Sequence, residues 1–266
     1  MICREQTKAF VMVKQHDHGL LSGKLAVKFK AEHVPAEGRR DEVLRAVSNH
    51  DRGWIDLDAT PFWNDAEQAP YSFIDFPVVP KLTFYSRGLD EIEADTPYGA
   101  LLCSLHFERL IETSGEDCPE LTVYQEQEEE RRARIRRELE QSSPLGEDEL
   151  YYDARLLQFS DDLSLYMALN EPGSPKSEEH PWWVDGFSGT EDFSFTSGRR
   201  ITAEWKDSTT LMLDPFPFTE TFEVSFMLRK VLKSAVAAKG LARAYSETPE
   251  DECRILVSDR RGGSIE

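Results

Sequence analysis

Positive charge is scarce in this sequence. Its 31 Lys and Arg stand against 50 Asp and Glu, a formal net charge of −19 over 266 residues. An acidic excess of that size repels phosphate backbones and argues against a nucleic-acid duplex as partner. Also missing is any stretch approaching the ~20 consecutive apolar residues that a membrane helix needs, so no membrane partner is expected. The opening residues, Met1-Ile2-Cys3-Arg4-Glu5-Gln6, have no long apolar run after their positive charge, which excludes a secretory signal. Cysteine is sparse: Cys3, Cys103, Cys118 and Cys253 form no CxxC pair. Zinc-finger chemistry through sulfur is thereby excluded, and the thiols read as the reduced cysteines of a cytoplasmic protein. Gly 15 and Pro 14 are too few for a collagen-like chain, while 39% hydrophobic residues suffice for a folded core.

What is present divides into two parts. Residues 1–170 read as a mainly helical domain opened by a short hairpin, Met1 to Arg4 and Ala9 to Val13. Asp17 is a plausible N-cap for a helix running through Phe29, and a second helix spans roughly Arg40 to Trp54. Residues 55–87, rich in Pro and aromatic residues, read as a long ordered connection that could wall a site. A third helix starts at Asp95-Thr96-Pro97, and a last one covers Leu150 to Asn170. Residues 124–141 carry charge nearly all round, with Glu128→Arg132 and Glu130→Arg134 at i,i+4 spacing, and read as a solvated helix laced with salt bridges. Residues 171–266 read as a β-rich extension that could pack on the N-terminal hairpin, with candidate strands at 201–205, 209–213, 222–228 and 255–257. The expected class is therefore α+β, mainly α-helical.

The informative residues are ionisable ones on apolar helix faces. At roughly 100° per residue, Val43, Ala46, Val47 and Trp54 define one stripe of the second helix, and His50 lands in its middle. Asp51 follows Val47 by four and also points inward. His18 shares a face with Leu21, Leu25 and Phe29, His106 lies on the face of Leu102 and Leu110, and Asp161 lies between Leu157 and Leu165. Its neighbour Asp162 is a weaker candidate. Burying such groups without partners costs several kcal/mol, so they pair or bind metal. His18, His50, Asp51 and Asp161 together make a nitrogen-and-oxygen set suited to Fe, Mn, Zn or a similar divalent ion.

The segment Ala46-Val47-Ser48-Asn49-His50-Asp51-Arg52-Gly53 resembles the ALLHDIG signature of the HD-domain metal-dependent phosphohydrolases. His18, followed by small residues Ser22, Gly23 and Ala26, resembles that superfamily's first ligand, and Ser160-Asp161-Asp162-Leu163 its distal aspartate helix. The pieces QHDHGLLSG, NHDRGW and LLQFSDDLSLY are further similar to an uncharacterised bacterial family of HD-like proteins. The resemblance covers residues about 15–169 and implies an HD-like helical bundle whose H…HD…D residues hold a divalent metal.

A metal so held would supply hydroxide for attack on the phosphoester of a small phosphorylated metabolite or nucleotide. Asp51 and His106 are the candidate catalytic residues, His106 as an acid or a second-metal ligand, with a hydrogen-bonded core histidine equally open. Arg109, three residues after His106, and Arg155, six before Asp161, are candidates for holding the phosphate. Trp54, Trp63 and Phe73 could wall a cleft. Two other readings stay open: a di-iron oxygenase in which His106 and His16 complete a two-metal site, and a non-catalytic protein with a structural metal. Oligomeric state is not legible.

Overall fold

The computed structural model describes residues 1–30, 38–115, 117–142 and 144–260. An antiparallel hairpin joins β1 (Ile2–Glu5) to β2 (Ala9–Val13), with Ile2 opposite Val13. Helices α1 (Gln15–Lys28), α2 (Arg40–Asn49) and the short α3 (Ile55–Asp58) follow. A minor ribbon of β3 (Trp63–Asn64) and β4 (Ala69–Pro70) leads into α4 (Val78–Asp95), α5 (Pro97–Ser114), α6 (Pro119–Ser142) and α7 (Glu147–Leu169). The chain ends in β5 (Thr202–Asp207), β6 (Thr210–Asp214), β7 (Phe222–Leu232), α8 (Lys233–Lys239), α9 (Leu241–Glu247) and β8 (Asp251–Asp259).

This overturns the expected HD-like helical bundle. Six of the strands form one mixed sheet in the order β1-β2-β7-β8-β6-β5, antiparallel throughout except where β6 runs parallel to β8. The fold is α+β, with the sheet a principal layer, and α1 packs against β7 as well as against α2 and α7. The pairing that builds this layer is long-range: Ala9 lies opposite Leu232 and Met12 opposite Arg229. Local periodicity carries no signal for a partner so far along the chain.

Strand β2 shows why the sheet is two-sided. All five residues of Ala9-Phe10-Val11-Met12-Val13 are buried, without the apolar–polar alternation of a half-exposed strand. Val11 and Val13 enter the large core with Leu21 and Leu25 of α1 and with Phe29 just after it, while Phe10 and Met12 join Val231, Leu241 and Tyr245 in a smaller cluster. Helix α7 sits deepest, with residues 156–169 buried apart from the half-buried Asp162.

Other boundaries differ as well. The connection expected at 55–87 contains the start of α4, hidden by Pro77, Pro80 and the β-branched Val78-Val79 that open it. Helix α1 begins at Gln15, so His16 is helical and Asp17 lies in the first turn. The charged helix α6 carries few pairs along its own length: Arg131 binds Glu93 and Asp90 of α4 at 2.6 Å each, and Arg132 binds Glu108 of α5 at 2.5 Å. Glu128 is buried and accepts from Ser104 Oγ at 2.9 Å. Among the described residues no helix is long and apolar enough to cross a membrane.

Candidate metal centre

Close helix packing comes first. A Cβ at Gly19 would stand 3.4 Å from the Ser48 carbonyl oxygen, and one at Gly23 would stand 2.0 Å from Ser48 Oγ. Glycine at these two places lets α1 approach α2 closely enough to set His18 beside His50, their ring centroids 5.3 Å apart. Behind them Ser22 Oγ and Ser164 Oγ are 2.8 Å apart, fastening α1 to α7 and fixing the height of Asp161 relative to His18.

Helix α2 ends at Asn49, short of the expected Trp54, and His50 and Asp51 lead into a 3-10 turn at Arg52–Trp54. The break matters, because adjacent residues on a continuous helix diverge by roughly 100°. In the turn both can face one centre. Gly53 holds the turn in place: a Cβ there would meet the Phe84 carbonyl oxygen at 2.2 Å, so α4 presses directly on the backbone after Asp51.

The structure brings together His18, His50, Asp51, His106 and Asp161, all buried. Asp161 is the hub. Its Oδ1 lies 2.8 Å from His18 Nε2 and 3.1 Å from His50 Nε2, and its Oδ2 lies 3.2 Å from His106 Nε2. Asp51 Oδ2 is 3.5 Å from His18 Nδ1 and 3.7 Å from His50 Nε2. Ligand atoms of His18, His50 and Asp51 lie within 4.8 Å of one another, as do those of His50, His106 and Asp161.

The far side of each ring tests whether a cation fits. His18 Nδ1 hydrogen-bonds the Gln15 carbonyl and His50 Nδ1 the Val47 carbonyl, the latter at 2.7 Å. A carbonyl only accepts, so both Nδ1 atoms carry protons, and in neutral rings both Nε2 lone pairs then aim at the Asp161 carboxylate. His106 Nε2 also faces that carboxylate but makes no hydrogen bond. Lone pairs converging on an anion repel unless something positive lies among them. These buried His and Asp groups could therefore bind a metal ion. Without one, protons take that part. Burial opposes charge on His50, but the Asp51 and Asp161 carboxylates outweigh it and lift its pKa to about 9. Burial likewise opposes charge on Asp161, yet the surrounding imidazoles hold its pKa well below the usual carboxylate range.

Asp162 turns away from the hub. It accepts from Trp183 Nε1 at 3.0 Å and Gln158 Nε2 at 3.4 Å, and burial together with the Asp161 charge pushes its pKa up to about 7. His16 belongs to neither ligand group among the described residues. The aromatic residues expected to wall a cleft pack elsewhere: Trp54 against Phe76 and Tyr85, Trp63 against Phe10, Phe73 against Trp182.

A cavity of about 470 Å³ opens beside His106, between α5, α6 and α7. Arg109 and Arg155 both line it. So do Arg136, Tyr151 and Gln158, which sequence reasoning missed. Arg136 was masked by the charged run around it, and Tyr151 and Gln158 carry no motif.

No curated protein and no solved structure matches this chain. A family profile described as a protein of unknown function, DUF3891, matches residues 1–233. That agrees with an uncharacterised family, and nothing in the match ties it to the HD superfamily. The chain is a member of the DUF3891 family.

Proposed function

We propose that this protein is a metal-dependent phosphohydrolase acting on a small phosphorylated metabolite or nucleotide. The observation that carries the reading is the aim of two Nδ1-protonated imidazoles, His18 and His50, at one buried carboxylate, Asp161. His18, His50, Asp51 and Asp161 would hold a divalent ion such as Fe, Mn or Zn. When bound, that ion supplies Lewis acidity, lowering the pKa of water and offsetting phosphoryl charge. A likeness of motif to the HD-domain phosphohydrolases, H…HD…D, is a secondary support, and it is separate from the fold.

The chain's own residues take the remaining roles. The Asp51 carboxylate accepts a proton from the attacking water. His106, the member of the cluster that also lines the cavity, delivers a proton to the leaving oxygen. The adjoining cavity favours catalysis over a structural clip, since a purely structural ion sits in a closed shell with no space for substrate.

The test is elemental analysis of purified protein and of His50→Ala, followed by a panel of phosphomonoesters and phosphodiesters with added Mn, Fe or Zn. The reading expects bound metal in the wild type, its loss in the variant, and hydrolysis only where metal is held. Metal without hydrolysis of any substrate overturns it.

A further inference from the structure

The cavity beside His106 is cationic in a chain of net charge −19. Its walls hold Arg109, Arg136 and Arg155 against the carboxylates of Glu147 and Asp148. Arg136 is already engaged with Glu147 at 2.7 Å. Arg155 is held in place without being fully neutralised: it donates to the neutral Gln158 Oε1 at 2.7 Å, stacks 4.9 Å from the Tyr151 ring centre, and lies 3.6 Å from Asp192.

Arg109 is the exceptional one. Its Nη1 is buried with no hydrogen-bond partner among the described residues. A guanidinium costs free energy to desolvate and normally finds an acceptor. The contrast with the larger cavity of about 810 Å³ is instructive. Its Arg131 and Arg134 are already bound to Asp90 and Glu93 of α4.

We propose that this cavity is a phosphate-binding pocket in which Arg109 and Arg155 together grip the phosphoryl group of a small molecule. A planar guanidinium fork matches phosphate oxygens, and two such forks, from α5 and α7, line this one cavity and can share one dianion. The volume admits a ligand up to nucleotide size. The inference deepens the hydrolase reading by naming the groups that recognise its substrate, but it needs no metal.

Phenyl phosphate titrated calorimetrically into chelator-treated protein tests it, with benzoate as the carboxylate control. Wild type is expected to bind phenyl phosphate and to prefer it over benzoate. Arg109→Met and Arg155→Met should each weaken binding by roughly tenfold or more, with Arg109→Lys between them and wild type. Unfolding curves establish that the variants fold. No binding by wild type, equal affinity for benzoate, or wild-type affinity in folded Arg109→Met and Arg155→Met overturns the pocket. Phosphate binding without metal-dependent hydrolysis would leave the pocket standing and sink only the enzyme.

Discussion

A Cβ on Gly23 would stand 2.0 Å from Ser48 Oγ and 3.0 Å from Ser48 Cβ. Ser48 cannot swing aside freely, because its hydroxyl donates to the Leu44 carbonyl at 2.8 Å. Gly23→Ala should therefore push α1 away from α2, at a cost of about 1–3 kcal/mol in denaturant unfolding. The candidate metal centre should suffer with it, since His18 and His50 come from α1 and from the end of α2. Adding Ser48→Ala should recover part of both losses, because it removes the 2.0 Å contact but leaves the Cβ contact. Equal stability of Gly23→Ala and wild type would show that the helices are not held at this distance.

The turn after Asp51 gives a second, harsher case. Gly53 meets the backbone of Phe84, whose carbonyl oxygen would lie 2.2 Å from an added Cβ, and a Cβ on Gly88 would in turn stand 2.7 Å from the Gly53 nitrogen. Backbone cannot repack as a side chain can. Gly53→Ala is expected to cost about 3 kcal/mol or more, at the upper end of overpacking effects, and to displace Asp51. The measurement is a urea melt alongside metal content. A variant that melts like wild type and keeps its metal would show that α4 yields easily.

Metal removal should lower stability. An ion that binds only the folded state at a hundredfold excess over its Kd adds roughly 2.7 kcal/mol. Thermal melts in chelator and in added Mn, Fe or Zn should differ by several degrees in wild type. The difference should vanish in His50→Ala and shrink in Asp161→Asn, which keeps the shape of the hub but removes its charge. Identical melts with and without each ion would count against a metal centre.

The sequence carried much of the site and less of the fold, for physical reasons. His18, His50, His106 and Asp161 each sit at helical spacing within an apolar face, and burial of such residues is a local signal. That Asp51 joins them depends on α2 stopping at Asn49, and the signal for that stop was Gly53, a residue constrained by α4 and not by its neighbours in sequence. The sheet was illegible as a single layer because the paired residues of β2 and β7 lie so far apart in sequence, 223 residues for Ala9 and Leu232 and 217 for Met12 and Arg229. Arg136 went unnoticed because one guanidinium in a run of charges looks like its neighbours until the cavity is seen.

Asp153 offers a test remote from the metal centre. This buried carboxylate accepts a 2.6 Å hydrogen bond from Tyr98 Oη, and burial, reinforced by Glu149, lifts its pKa from 3.8 to about 6. Its folded pKa is raised, so the fold favours the protonated form. The stability from this group is fully present below pH 3.8 and is lost as pH rises through about 6. Near neutrality the buried charge costs on the order of 3 kcal/mol, at 1.36 kcal/mol per pKa unit. Asn has no such charge and its carbonyl can still accept from Tyr98. Asp153→Asn should therefore be more stable than wild type at pH 7, by about 1–2 kcal/mol once imperfect amide partnering is allowed for. That advantage should fade as pH falls to about 4, where the wild-type carboxyl is itself neutral. Urea melts of both proteins at closely spaced pH values read the difference directly. An advantage that stays constant with pH, or that grows on acidification, would mean the fold does not raise the Asp153 pKa.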